Sequence, residues 1–301
     1  MSVAPGGYAW WYVDAISDDG ACGVTLIAFI GSVFSPYYAW SKARDPFDHC
    51  ALNVALYGPD KNRWAMTERK KNAVSIERET FRIGPSHLAW DDGALVIHIN
   101  ETTAPIPSSL RGRVRVTPAF LNDQTFTIDK AGRHRWCPIA PSARVDVDFE
   151  KPALRWSGHG YLDTNTGEEP LEQAFRYWDW SRTGLPDGGT AILYNTDLWT
   201  GDAQSLALKF APDGSIEDFA PPPGAVLPDT KIWRIARRTR ADREDTARIV
   251  RTLEDTPFYS RSMIETELFG APRLGMHETF SGARLRSPVV KAMLPFRMPR
   301  L

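Results

Sequence analysis

Only three cysteines occur in the 301 residues, Cys22, Cys50 and Cys137, and they stand far apart with no CxxC pair. That spacing excludes a disulfide scaffold and a zinc ribbon, and it fits reduced thiols in a cytoplasmic protein. The histidines His49, His87, His98, His134, His159 and His277 are equally scattered, so no metal-ligand spacing is present and no metal is expected. Neither a GxxxxGK[ST] loop nor a strand-helix GxGxxG appears, which disfavours ATP and NAD chemistry. No excess of charge exists either. With 36 Lys and Arg against 37 Asp and Glu, there is no electrostatic footprint for nucleic acid. The stretch Met1 to Trp10 lacks the basic start and apolar core of a secretory signal. Val24 to Phe34, the longest apolar run, is interrupted by Thr25, Gly31 and Ser32, and no spanning helix is predicted.

What is there reads as an ordinary globular chain, 43% apolar and 24% charged, long enough for two modest domains. Its 14 Phe, 11 Trp and 9 Tyr supply aromatic surface for lining a pocket or resting at a lipid interface.

Short β-favouring runs closed by turn residues recur along the chain, the spacing of a sandwich or barrel. Tyr8 to Ile16 ends at Ser17-Asp18-Asp19-Gly20, Cys50 to Tyr57 ends at Gly58-Pro59-Asp60, and Ala94 to Asn100 follows Asp91-Asp92-Gly93. Further strands are predicted over 63–70, 76–83, 111–117, 144–149, 191–196, 205–210, 231–237 and 260–268. Helices are predicted near Arg243 to Leu253 and over Ser287 to Leu294, where Pro288 suits a first turn. The proline-rich stretch Ala220 to Pro228 reads as a surface connection. A Gly-Glu-Glu-Pro turn near residue 170 divides the chain into domains 1–170 and 171–301.

The unusual residues crowd between His134 and Arg182. If 158–163 is extended, Tyr161 and Asp163 share a face, and the same two-residue period unites His134 with Trp136. An Asp facing inward from a barrel wall among aromatic rings is costly to hold as an anion, so part of it stays protonated and able to give a proton to an alkene. The resulting carbocation is stabilised by aromatic faces, for which Trp136, Tyr161, Trp178 and Trp180 are of the right type. Read without other information, Asp163 is equally a turn residue, His134 a hydrogen-bonded imidazole, and Trp178 and Trp180 core residues.

The ordered set His134-Arg135-Trp136, Gly158-His159-Gly160-Tyr161-Leu162-Asp163-Thr164-Asn165-Thr166-Gly167, Glu169-Pro170-Leu171-Glu172 and Trp178-Asp179-Trp180-Ser181-Arg182 resembles the central block of the bacterial carotenoid 1,2-hydratases. Upstream, Gly7 to Asp14, Phe34-Ser35-Pro36-Tyr37-Tyr38, His49 to Tyr57 and Trp64 to Arg69 resemble the same family. The resemblance implies a mainly β protein of two lipocalin-like antiparallel barrels with a short C-terminal helix. It also implies cofactor-independent addition of water to the terminal C1–C2 bond of an acyclic carotenoid. Asp163 is then the proton donor, Trp136 and Tyr161 stabilise the cation, and His134 positions or deprotonates the water, while Trp178, Trp180, Tyr37 and Tyr38 bind substrate. It places the protein in the cytoplasm at the inner, photosynthetic membrane, with Arg284, Arg286, Arg297 and Arg300 offered to anionic headgroups. An isoprenoid cyclase of the same superfamily and a non-enzymatic lipid carrier are the alternatives.

Overall fold

A computed structural model describes residues 2–59 and 61–301, so Asp60 of the second expected turn lies outside the described residues. The chain divides into two compact units. The first holds the residues up to Thr127, Arg133–Pro170 and Ala292–Leu301, and the second Ile128–Gly132 and Leu171–Lys291.

In the first unit the strands are β1 (Tyr8–Ser17), β2 (Gly23–Ile30), β3 (Cys50–Tyr57), β4 (Arg63–Arg69), β5 (Val74–Ile76), β6 (Thr80–Ile83), β7 (Ser86–Asp91), β8 (Ala94–Thr102), β9 (Ser109–Pro118), β10 (Phe126–Thr127), β11 (His134–Lys151) and β12 (Leu154–Gly167). They form one sheet in the order β4-β3-β2-β1-β12-β11-β9-β8-β7-β6-β5, with β10 beside β11. Every strand pairing in it is antiparallel, and tight turns join several neighbours: at Asp92-Gly93 both residues take positive φ, as a two-residue hairpin requires. Aliphatic side chains from strands along the whole sheet, among them Val13, Leu26, Val54, Ile97, Val114, Val145 and Leu162, meet in one buried cluster. The sheet therefore curls around them into a nearly closed barrel whose interior is packed.

Strand β11 carries two register shifts, between Cys137 and Ala140 and between Ala140 and Ala143. Each inserts a residue and turns the following side chains to the other face of the sheet. His134 and Trp136 thus lie on the face opposite Ala140, although all three positions are even-numbered.

The second unit contains β13 (Phe175–Gly184), β14 (Thr190–Leu198), β15 (Ala203–Phe210), β16 (Ile216–Asp218), β17 (Gly224–Leu227), β18 (Arg237–Arg240), β19 (Arg248–Asp255), β20 (Tyr259–Leu268) and β21 (Ala271–Ser281). Seven of them make a sheet in the order β16-β15-β14-β13-β21-β20-β19, and β17 and β18 form a separate ribbon. Short helices are α1 (Pro36–Trp40), α2 (Leu171–Ala174), α3 (Gly282–Leu285) and α4 (Pro288–Met293).

Four local expectations are corrected. Arg243 to Leu253 is a short 3-10 turn followed by β19, since Ile249, Val250 and Thr252 are β-branched and alternate in burial with period two. The run expected over 231–237 is strand only at Arg237, where β18 begins, because Arg234 takes a left-handed φ of 52°. The run 76–83 splits into β5 and β6 where Glu77 N–H closes on Thr80 O at 2.8 Å. Gly224–Leu227, inside the expected connection, pairs with one partner strand only, which leaves Pro221 to Pro223 outside the ladder.

Candidate active site

Alternation along β12 sends Leu162 into the aliphatic cluster and Tyr161, Asp163 and Asn165 to the opposite face. Asp163 therefore points away from the barrel interior, which aliphatic side chains fill, and the expectation of an inward-facing acid is corrected. It is nonetheless only 4% exposed. On the same face β1 contributes Tyr8, Trp10, Tyr12 and Asp14, since Tyr12 pairs with Asp163 and Asp14 with Tyr161.

Two donors meet on one oxygen. Trp136 Nε1–H reaches Asp163 Oδ2 at 2.9 Å and Tyr161 O–H reaches the same atom at 2.9 Å. Trp136 Nε1 also lies 3.1 Å from the Tyr161 oxygen, and Asn165 Nδ2 approaches Oδ1 at 3.4 Å. Three donors thus converge on this one carboxyl group, two of them on Oδ2. Full burial pushes the Tyr161 phenol well above its usual range, and the charge and hydrogen bond of Asp163 push in the same direction. Tyr161 is thereby a neutral donor.

Aromatic rings surround the carboxyl. Trp136 is fully buried beside Phe126, whose centroid lies 5.5 Å away, and Tyr12 meets Tyr161 edge-on at 6.2 Å. Tyr8 stacks on Trp10 at 4.8 Å, and Trp10 meets Phe29 edge-on. An aromatic face beside a cation stabilises it by about 2 kcal/mol when water is excluded.

His134 is held apart from this group. It pairs in register with Gly167, four residues beyond Asp163, or about 13 Å along the strand. Its Nδ1 lies 2.9 Å from the Tyr8 hydroxyl, and its Nε2 faces Glu169 at 3.6 Å. Gly167 makes room for this contact: a Cβ there would stand 2.3 Å from the Tyr8 ring and 2.7 Å from His134 Nδ1.

Residues 26–301 match the carotenoid hydratase CrtC family. The chain is 58% identical to the acyclic carotenoid 1,2-hydratase of Thiocapsa roseopersicina over 304 residues, covering all of this chain and 75% of that one. It is 49% identical to the enzyme of the same name from Rubrivivax gelatinosus, covering 99% and 74%.

The chain belongs to the carotenoid hydratase CrtC family.

Among solved structures, an AttH-assigned protein of Nitrosomonas europaea aligns over 91% of this chain and 92% of its own, at 15% identity and a TM-score of 0.64. CghA with Sch210972 aligns over 92% and 89%, at 12% identity and a TM-score of 0.59. These likenesses show the lipocalin-like fold.

The other residues singled out in this carotenoid hydratase family member are placed elsewhere. Trp178 and Trp180 belong to the second unit, share one face of β13 and are each 4% exposed. Trp178 stacks on Phe280 at 4.2 Å and meets Phe175 and Tyr194 edge-on. Tyr37 and Tyr38 sit in α1, where Ser35 caps the helix. Their hydroxyls donate to backbone carbonyls, Tyr37 to Met298 at 3.3 Å and Tyr38 to Gly7 at 2.7 Å. Tyr8, Tyr12, Asp14 and Asn165 were not selected from sequence, although the alternation Tyr8-x-Trp10-x-Tyr12-x-Asp14 against Ala9, Val13 and Ala15 carries the signal.

Proposed function

We propose that the chain is an acyclic carotenoid 1,2-hydratase working without a cofactor, with Asp163 as the proton donor. The observation that supports this most is a buried carboxyl whose Oδ2 is fixed by Trp136 and Tyr161 inside an aromatic surround. Asp163 in its acid form delivers a proton to C2 of the terminal isoprenoid unit. The alkene electrons form the C2–H bond and leave a tertiary cation at C1, which the faces of Trp136 and Tyr161 stabilise. Water then bonds to C1 and gives the tertiary alcohol. His134, anchored to Tyr8, is a positioning residue for the wall that carries Trp136.

Trp178 and Trp180 are proposed to contact the polyene, whereas the hydroxyls of Tyr37 and Tyr38 serve the local backbone and leave only their rings for substrate. The substrate dissolves in lipid, so peripheral contact with the inner, photosynthetic membrane is part of the proposal. No described helix is long and apolar enough to cross a membrane. Arg284 and Arg286 are engaged within the second unit, on the Trp233 carbonyl and the Trp199 ring. In the first unit Arg297 packs on Trp64 and Arg300 binds Glu68. Arg286 and Arg297 stay exposed and keep their charge for anionic headgroups, and exposed apolar side chains such as Ile106 and Leu121 are further candidates for lipid contact.

Purified protein incubated with lycopene or neurosporene in liposomes under heavy-oxygen water, followed by mass analysis, tests the proposal. Label in a tertiary alcohol is the expected result. A cyclic, unlabelled product would replace hydration with cyclisation, and unchanged carotenoid would leave a carrier.

A further inference from the structure

Adding water to an alkene needs two proton transfers, one onto carbon and one off the attacking water. Asp163 accounts for the first. For the second, His134 stands about 13 Å along the strand from Asp163, counted from its register partner Gly167, and its Nδ1 is occupied by Tyr8. A much nearer group faces the same side of the sheet. Asp14 on β1 is fully buried, pairs across the strands with Tyr161, and is therefore the diagonal neighbour of Asp163, about 7 to 8 Å away at the backbone. Its Oδ2 accepts from the Tyr12 hydroxyl at 2.9 Å, and Tyr12 is itself opposite Asp163.

We infer that Asp14 is the general base of the reaction, the partner carboxylate of Asp163. The inference rests on the hydratase reading above. A diagonal pair on one sheet face offers one carboxyl as acid and the other as base to a single reacting centre, the division of labour that inverting glycosidases also use. The balance is simple. The Asp163 proton goes to C2, the alkene pair makes the C2–H bond, a water lone pair makes the C1–O bond, and the surplus proton on that oxygen passes to the Asp14 carboxylate. Solvent then takes the proton from Asp14 and returns one to Asp163, for a net gain of one water by the substrate. Tyr12 fixes Asp14 from one oxygen as Tyr161 and Trp136 fix Asp163, so both carboxyls are oriented by neutral donors on the same sheet face.

The test is Asp14→Asn assayed with lycopene, with and without sodium azide. Azide attacks the cation without losing a proton and needs no base. Hydration is expected to fall by a factor on the order of 100 to 10,000, while azide restores turnover and yields a 1-azido carotenoid. Asp163→Asn, which cannot form the cation, is expected to show no azide rescue. Undiminished hydration by Asp14→Asn overturns the inference. So does a folded, carotenoid-binding Asp14→Asn that gives neither alcohol nor azide adduct. Should the Asn variant not fold, Asp14→Ser leaves space for formate, and restored hydration in formate supports the base role while absence of restoration overturns it. Failure of the unsubstituted protein to hydrate lycopene or neurosporene would instead sink the hydratase reading itself.

Discussion

The indole N–H of Trp136 points at Asp163 Oδ2 from 2.9 Å, across the β11–β12 pairing. The contact gives Trp136 a polar duty beside its aromatic one, and the two are separable. Trp136→Phe keeps a ring and removes the donor. A loss of tenfold to one-hundredfold in kcat is expected, since one hydrogen bond to the carboxylate that proton transfer leaves behind contributes about 1.5 to 3 kcal/mol. Trp136→Leu removes both properties and is expected to lose more. Steady-state kinetics on a 1-hydroxycarotenoid product would check this, and equal activity of the Phe variant and the parent would remove the hydrogen bond from the mechanism.

Gly167 is the floor under the Tyr8–His134 contact. Gly167→Ala drives a methyl into both rings, so a destabilisation of about 1 to 3 kcal/mol is expected, together with reduced turnover. Tyr8→Phe removes the hydroxyl without the clash. If His134 acts by position, Tyr8→Phe lowers kcat in protein that stays folded, at a stability cost of about 1 to 3 kcal/mol for the lost buried hydrogen bond, which calorimetry and product assays distinguish.

The acid stability of the second unit depends on two groups of opposite sign. His277 is fully buried, its Nε2–H donates to Arg238 O at 2.9 Å, and burial pulls its pKa down to about 4. The unfolded chain binds that proton near 6.5, so His277 contributes stability above 6.5 that is lost as pH falls toward 4, about 3 kcal/mol in full. Burial pushes Asp179 up to about 6, against the hydrogen bonds from Asn195 and Arg238 that pull it down. This makes folding more favourable as pH falls from 6 to about 4. The two slopes oppose each other. His277→Gln is expected to unmask a rise in the urea midpoint between pH 6 and 4, and a midpoint that still falls there would refute the assignment.

Arg300 reaches a carboxylate that has no exposure of its own. Glu68 Oε1 accepts from His49 Nδ1 and from Arg300 Nη1, each at 2.8 Å, and Arg300 also meets Asp48 at 3.1 Å. Removing one partner of a buried pair leaves an uncompensated charge. Arg300→Ala should destabilise the protein by about 2 to 4 kcal/mol, tempered by the partial exposure of Arg300. Adding Glu68→Gln should recover much of that loss. Chemical denaturation of the single and double variants measures both.

Much of this arrangement was legible because strands speak in alternation. Tyr161 and Asp163 share a face by simple period two, and the turns at Gly20 and Gly93 closed hairpins where the sequence placed them. What alternation cannot show is which side of a curved sheet becomes the core. Asp163 was expected inside the barrel, yet Leu162 and its aliphatic neighbours fill that space. Long-range pairing was equally hidden. Asp14 and Tyr161 lie far apart in sequence and meet only through the β1–β12 ladder. The segment 243–253 misled because its arginines and acids mimic a solvated helix face, whereas its β-branched residues pair with β20.

The extra residue between Cys137 and Ala140 lets one continuous strand obey two grammars. Before it, even-numbered side chains share the face of Asp163; after it, Ala140 belongs to the aliphatic core. A single deletion here would not shorten a loop but exchange the environments of every side chain on one flank, sending an indole and an imidazole toward hydrocarbon. The Asp163 face and the core are thus kept apart by counting, and a change of one in that count exchanges them.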